Sequence, residues 1–402
     1  MADSPKRRVR TPSAVGTYAV LTVVGIVILF PFLITVATSL KDSKDVFNYP
    51  PRVLPHMAVT AAVAGVDEKA PMYRLTVNGR VRKLAKVADG ISASFFRNPN
   101  RPSDSVLASL DDATATGRKI TVNGKEETLF SVRVGATTRE LYLDPAFAIA
   151  ARFADPANPT DSVLALNADA RPIERLGAKY SNFKDVTALQ NLDRALTNTI
   201  LVTILVVCGQ LFTSILGGYA FSRIRFRGRN ALFLMYLGSI MIPFVVLMVP
   251  LFQEVVAVGW NNRMIALVLP FIFSAYGTFL MRQFFMTLPV ELEEAAFIDG
   301  ASRARIVWRI LVPLAKPALA TLASFSFLYA WNSFVWPLIA SDSGNLDGNV
   351  LSIALSTLGG RAADKQNLVL AGVVIATIPP IAVFIAAQRY FVESVASSAV
   401  KG

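Results

Sequence analysis

Residues 196–222 read LTNTILVTILVVCGQLFTSILGGYAFS, and residues 223–230 continue as RIRFRGRN. The first stretch contains no Asp, Glu, Lys or Arg. It is longer than the ~20 apolar residues that cross a bilayer. The second places Arg223, Arg225, Arg227 and Arg229 directly behind it. A long uncharged run followed by clustered arginine predicts a membrane helix whose C-terminal end faces the cytoplasm.

Five other runs are equally free of charge: Tyr18–Ser39, Ala231–Gln253, Met264–Met281, Pro317–Ser341 and Leu368–Gln388. The first exceeds a signal-peptide core and lacks a small-residue cleavage site behind it, so it reads as a retained helix. Six spans bring both termini to one side. That side holds Lys6, Arg7, Arg8 and Arg10, the arginines behind the second span, then Arg282, Arg303, Arg305, Arg309 and Lys316, and finally Arg389 and Lys401. The two short opposite loops hold Arg263, Arg361 and Lys365. Both termini are therefore expected in the cytoplasm.

Composition agrees. Of 402 residues, 53% are hydrophobic and 17% charged, below the ~25% charge of an average soluble domain. The net charge of +12 is explained by cytosolic loops without invoking nucleic acid. A single cysteine, Cys208, excludes an intramolecular disulfide. A single histidine, His56, removes His-pair metal sites and disfavours a His-based triad, so no catalytic residue and no metal site is expected.

About 155 residues separate the first two spans. The segment 57–179 holds 14 of the 28 acids and 17 of the 40 basic residues, the charge density of a soluble domain. The topology places it outside the membrane, since long loops translocate regardless of charge. RLTVNGRV and KITVNGKE set Asn78-Gly79 and Asn123-Gly124 between β-prone stretches, the signature of two-residue type I′ hairpins. The two units are either a duplicated hairpin or two ordinary turns. The later stretch DPAFAIAARFADPANPTDS reads as a short apolar helix among Asp-Pro turns. The expected layout is residues 1–56 (N-tail, first helix and short outer segment), 57–179 (a β-rich insert), and 180–402 (the helical core).

The longest cytoplasmic loop, within 282–316, contains LPVELEEAAFIDGASRARIVWRILVPLAKP. Pro289 suits a first helical position, and Glu291, Glu293 and Glu294 suit a helix N-terminus. Ala295 and Ala296 leave room for a close neighbour, and Gly300 breaks the helix. Ile306, Val307 and Ile310 form an apolar stripe on a second helical stretch ending at Pro313 and Pro317. Read on physics alone, this is an amphipathic helix pair suited to a lipid surface.

At these residues the chain resembles the EAA loop of ATP-binding-cassette importer permeases. Glu294, Ala295, Ala296, Gly300, Ile310 and Pro313 fall in register with that motif, Asp299 lies beside them, and Val312 replaces its usual leucine. The runs NTILVTILVVCGQLFTSILGGYAFSRIRFRGR, MIPFVVLMVPLF and AWNSFVWPLI resemble the maltose-type carbohydrate permeases, although Ser333 stands where that family usually has an acid. QRYFVESVASSAVKG resembles their C-terminal end without its glycines. The resemblance covers 1–55 and 180–402 and omits the insert.

The resemblance implies an all-α polytopic membrane protein of six transmembrane helices with the type I ABC importer permease fold, here with a β-rich extracytoplasmic domain inserted between helices 1 and 2. It implies a bacterial inner-membrane location, a second homologous permease subunit, two cytoplasmic ATPase subunits and an extracytoplasmic solute-binding protein. ATP and Mg would be bound by the ATPase subunits, with no cofactor held by this chain. The EAA loop would dock in a groove on the ATPase and transmit its closure to the spans.

Polar groups inside spans are functional candidates. Asn198, Gln210, Asn332 and Ser333, with Tyr219, Tyr276 and Trp331, are candidates for a sugar path. The competing reading is interhelical hydrogen bonding and interfacial aromatics. Pro243, Pro250, Pro270 and Pro379-Pro380 either kink spans or mark helix ends. The last outer loop includes Ser343, Gly344, Asn345, Leu346, Asp347 and Gly348, which by resemblance face the solute-binding protein; the alternative is a flexible connector. A secondary transporter is disfavoured because no span carries an ionisable acid or base to couple a proton. A membrane enzyme is disfavoured for want of an acid pair, Ser-His pair or metal cluster. A permease for a polyol or glycerol-phosphate remains the closer alternative.

Overall fold

A computed structural model describes residues 14–399 apart from 78, 123, 135, 136, 190, 342–347 and 363. The chain divides into two compact units, Met1–Phe47 with Tyr180–Gly402, and Asn48–Lys179.

The first unit is helical. It begins with α1 (Ala14–Ser39) and the short α2 (Ser43–Val46), and resumes with α3 (Ser181–Ala188) and α4 (Leu192–Arg223). Buried Asn182 joins the two stretches by donating from Nδ2 to the carbonyls of Ser39 and Lys41 at 2.7 and 2.8 Å. Next come α5 (Arg229–Gly238), α6 (Phe244–Ala257), α7 (Met264–Val268) and α8 (Ala275–Thr287). The remaining helices are α9 (Glu291–Ile298), α10 (Arg303–Ile306), α11 (Val312–Leu314), α12 (Lys316–Trp331), α13 (Val335–Ala340), α14 (Leu351–Arg361) and α15 (Gln366–Ala399).

Among the described residues four helical segments are long and apolar enough to cross a bilayer: Val15–Ser39, Leu192–Arg223, Met264–Thr287 and Gln366–Arg389. Two further pairs qualify only when each is taken as one broken span: 229–241 with 244–257, bent by 99°, and 303–314 with 316–331, bent by 83°. The uninterrupted run Ala231–Gln253 is thus not one straight helix. Pro243 lacks an N–H, so the helical ladder stops at Ile242 and restarts at Phe244. The run Pro317–Ser341 is also divided, because α12 ends at Trp331 and α13 starts at Val335. Pro379 and Pro380 lie inside α15, which continues past them.

The helices α4 and α8 cross where side chains are small. A Cβ on Gly218 would lie 2.6 Å from Met281 Cβ and 3.0 Å from the Arg282 backbone nitrogen. One on Gly277 would lie 2.3 Å from Ser214 Oγ. Small residues let backbones approach, the means by which helices associate where lipid removes the hydrophobic drive. The apolar side chains of α1, such as Leu21, Ile26, Ile28 and Leu33, are exposed, as they are on a lipid-facing surface.

Among its described residues, the regular structure of the second unit is β apart from two single turns of 3-10 helix. Its strands are β1 (His56–Ala58), β2 (Thr60–Ala61), β3 (Ala70–Val77), β4 (Arg80–Asn98), β5 (Arg101–Ala108), β6 (Ala113–Val122), β7 (Lys125–Val134), β8 (Thr137–Ala154), β9 (Ser162–Leu166), β10 (Arg171–Pro172) and β11 (Glu174–Leu176). The main sheet runs β10-β3-β4-β8-β7-β6, with β5 added to β4, β9 to β8 and β2 to β3. Strand β1 pairs with β11, and Arg52 forms an ion pair with Glu174, so the unit begins at Asn48, ahead of Met57.

Val77 pairs with Arg80 and Val122 with Lys125, leaving two-residue links in both NG hairpins. Gly79 and Gly124 have φ of +72° and +80°, as such turns demand; Asn78 and Asn123 lie outside the described residues.

The stretch 144–154 is not helical: it forms the C-terminal half of β8. Alanine favours helix in isolation. Here Phe147 and Ile149 point outward while Ala150, Ala151 and Phe153 are buried, and pairing with β4 and β9 prevails. Long strands β4 and β8 stay paired by slipping register at three places, one beside Gly90 at φ +70°. They contribute to small cores around Leu75, Leu84 and Phe153 and around Phe96, Val132 and Leu141, and Ala85 of β4 joins a third with Val63 and Ala70.

Candidate coupling loop and transport-path residues

The candidate loop starts where α8 ends. Pro289 lies two residues ahead of Glu291, the first residue of α9, and not at the first helical position. Glu291, Glu293 and Glu294 occupy the first turn, where the helix dipole favours carboxylates. The end of α9 is a Schellman cap: Ala301 N donates to Ala296 O at 2.9 Å and Gly300 N to Phe297 O at 3.0 Å. Gly300 takes φ +76°, and a Cβ there would meet nothing within 4 Å. The glycine is required by backbone conformation and not by space.

Ser302 then caps α10, its Oγ accepting from Arg305 N at 3.4 Å. The next turn, Val307–Leu311, is a π-turn, so Ile310 lies in a widened, under-wound turn that simple 3.6-residue periodicity does not anticipate. Ile306, Val307 and Leu311 are fully buried against Ile215, Tyr219, Met281, Phe285, Ala296 and Ala315.

Arg223, the last residue of α4, fastens this assembly. Its Nη2 donates to the carbonyls of Phe285 and Leu288 at 2.7 Å each, at the C-terminal end of α8. Its Nε stands 2.7 Å from Glu293 Oε1 on α9, an ion pair without hydrogen-bond alignment. Both side chains are largely buried, with exposures of 13% and 6%. Burial pushes the Glu293 carboxyl above the ordinary glutamate value, and the Arg223 charge pulls against that rise. One cation thus ties the end of α4, the end of α8 and the start of α9. Arg282 adds a second tie, donating from Nε to Phe221 O at 3.2 Å and lying 4.2 Å over the Phe233 ring.

The opposite face of α9 is open. Glu294, Ala295 and Asp299 are exposed, as are Leu292, Phe297 and Ile298, the last at 86%. Ala296 points inward to the core. The motif residues therefore divide between a face locked to the spans and a face without a partner in this chain.

The candidate path residues do not converge on one chamber. Gln210 is buried, its Nε2 donating to Phe271 O at 2.7 Å and its Oε1 accepting from Ser326 Oγ at 2.5 Å. Asn198 Nδ2 donates to Asn349 O at 3.0 Å, and Trp331 Nε1 to Ala376 O at 3.1 Å. Asn332 Nδ2 returns to Leu328 O in its own helix, and the Ser333 carbonyl accepts from Ser352 Oγ. Tyr219 is buried beneath the loop, while Tyr276 is exposed and packs edge-on to Phe325. Only Trp331 and Ser333 share a cavity, of about 20 Å³, room for one water and not for a sugar. Asn198, Gln210 and Trp331 thus each hold a backbone carbonyl distant in sequence. Of the outer-loop candidates, Ser343, Gly344, Asn345, Leu346 and Asp347 lie outside the described residues, and Gly348 is an exposed turn residue.

Arg223 and Glu293 escaped sequence reasoning because each looked generic, one a loop arginine and one a helix-start acid. Their signal was position: a cation as the final residue of a span and an acid one residue before the Glu-Ala-Ala run.

Residues 189–397 match the family described as binding-protein-dependent transport system inner membrane component. The arabinooligosaccharides transport system permease protein AraQ of Halalkalibacterium halodurans is 38% identical over 205 residues, 51% of this chain and 73% of that protein. The sn-glycerol-3-phosphate transport system permease protein UgpE of Pectobacterium atrosepticum is 37% identical over 203 residues, 50% of this chain and 72% of that protein. A chain from the crystal structure of a bacterial ABC transporter involved in the import of the acidic polysaccharide alginate is 26% identical, with a TM-score of 0.49, and the match covers 54% of this chain and 80% of that one. With apolar helices of membrane-spanning length and a family match over half its residues, this chain belongs to the inner-membrane components of binding-protein-dependent transport systems.

Proposed function

We propose that this chain is the permease subunit of an ATP-driven importer of a carbohydrate, and that it turns closure of partner ATPase subunits into alternating access. The observation that carries this reading is the two-sided α9: its inner face is locked through Arg223 and Ala296 to the spans, and its outer face leaves Leu292, Phe297 and Ile298 uncovered. Apolar side chains exposed on a rigid, capped helix suit a protein partner. In this reading each bent pair is one span, giving six, with both termini in the cytoplasm and the insert 57–179 outside. A second permease subunit, two ATPase subunits and a solute-binding protein complete the assembly. ATP and Mg are held by the ATPase subunits, and this chain performs no chemistry of its own. A carbohydrate is supported by the arabinooligosaccharide relative, and a glycerol-phosphate cargo is the alternative raised by the second.

Gly300→Val tests the coupling role. A β-branched residue at φ +76° dismantles the Schellman cap, at a cost of about 1–3 kcal/mol. We expect normal membrane insertion, loss of ATPase from the purified complex, and transport below one tenth of wild type for radiolabelled sugars in a deletion strain. Stoichiometric ATPase with full transport would overturn the assignment of the loop. Uptake of sn-glycerol 3-phosphate and of no sugar would select the alternative cargo.

A further inference from the structure

The β unit contains a groove of about 1370 Å³ that the permease role does not use. Five arginines line it, Arg74, Arg82, Arg133, Arg152 and Arg171, against three aspartates, Asp112, Asp161 and Asp169. Two aspartates are already engaged. Arg82 Nη2 lies 2.6 Å from Asp161 Oδ2, and its hydrogen bond holds that carboxyl below the ordinary aspartate value; Arg152 Nη2 lies 3.0 Å from Asp112 Oδ2. Among the described residues, Arg74, Arg133 and Arg171 have no carboxylate within ion-pair distance, Asp169 included.

The register makes this imbalance local. Arg171 stands directly opposite Arg74 across the β10–β3 pair, and Lys83 stands opposite Arg74 on the other side, across β3–β4. Residues directly opposed in antiparallel strands share a face, and strands lie ~4.8 Å apart. Arg171 and Arg74, which line the groove, and Lys83, which does not, thus form a row of three exposed cations over three adjacent strands, an arrangement that is destabilising without counter-charge. Arg133, on β7, supplies a further cation from another strand. Hydroxyls of Thr76, Ser105 and Ser162 lie along the lining, and among the described lining residues there is no aromatic ring. Neutral sugars are commonly held by stacking on rings; guanidinium forks instead match carboxylates in bidentate geometry. The volume exceeds the ~300–1,000 Å³ of a drug-sized pocket, and the free cations lie on several strands. A chain with spaced charges fits such a site, where a single small anion would meet one or two of them.

We propose that this groove binds an anionic oligosaccharide, a sugar chain carrying carboxylates. The site lies wholly within the β unit, so it stands or falls apart from the coupling loop.

The test is calorimetric titration of the full chain in lipid nanodiscs with tetragalacturonate. We expect binding that weakens as salt rises, and at least tenfold weaker binding of the methyl-esterified tetramer. The R74Q/R133Q/R171Q variant should lose at least tenfold in affinity with its thermal midpoint unchanged or raised, since it removes exposed like charges. Should it fail to fold, R133Q alone is expected to lose at least threefold. Equal affinity for acid and ester, or wild-type affinity in a folded variant, would overturn the proposal. Equal binding of citrate or sulfate would reduce the site to a small-oxyanion site, and preferential binding of polyglutamate would make it a protein-docking surface; either result rejects the oligosaccharide.

Discussion

Arg223 and Glu293 illustrate how unequal the two halves of a buried ion pair are. Arg223 has two carbonyl acceptors besides its carboxylate, whereas the Glu293 oxygen at the contact has no hydrogen bond. Removing the arginine strands a buried carboxyl and frees two helix-end carbonyls; removing the carboxylate leaves the arginine its carbonyls. Breaking a buried pair costs about 3–5 kcal/mol when the remaining charge is uncompensated. Arg223→Ala is expected near that range, and Glu293→Gln well below it, measured as thermal unfolding in detergent. Equal losses would show that the pair, and not the arginine, holds the loop. At this scale the sequence was partly legible. Gly300 was read as a helix break, and the Schellman bonds supply its cause. Type and depth single out Gln210 and Trp331 in the sequence, whereas the carbonyl each one bonds is visible only in the structure.

Elements were legible where periodicity was unopposed. The apolar runs emerged as helices, and both NG hairpins formed two-residue links. Misreadings arose where partners overruled local preference. Alanine-rich 146–154 is a strand because β4 and β9 flank it, and 231–253 is bent because one proline outweighs twenty-odd apolar neighbours. Crossing geometry was also hidden, since the sequence does not say which glycine meets a backbone. Gly218 does and Gly238 does not, although both are helical. Gly218→Ala should separate α4 from α8 and lower stability by about 1–3 kcal/mol. Gly238→Ala should be neutral or gain up to ~1 kcal/mol from helix propensity. Parallel melting curves check the contrast, and a harmless Gly218→Ala would contradict the close crossing.

For the whole molecule, the division into two units has an energetic meaning. Among the described residues, the apolar clusters of the β unit draw on 63–170, and those of the helical unit on 183 and beyond. Residues 48–179 expressed alone should give β-dominated circular dichroism and a single cooperative transition. Replacing that segment with a Gly-Ser linker should leave the remaining chain inserted and ATPase-bound while weakening stimulation by the solute-binding protein. A random-coil spectrum would reject the independent domain, and unchanged stimulation would reduce the insert to a spacer. Charge density reports solvent exposure without knowledge of pairing, which is why 57–179 stands apart in the sequence.

The 83° bend at Ala315 makes the stretch Arg303–Leu314 and α12 two arms of a bell crank. An arm of 16 residues is about 24 Å long at 1.5 Å per residue. A turn of about 10° at the pivot then sweeps its far end through about 4 Å, roughly three-quarters of a helical pitch. That end is Trp331, whose indole holds the Ala376 carbonyl of α15. Rotation of one arm about that pivot would carry the other with it, and with it α15, whose Leu368, Ala371 and Ile375 pack with Phe327 and Trp331 beside the indole hydrogen bond.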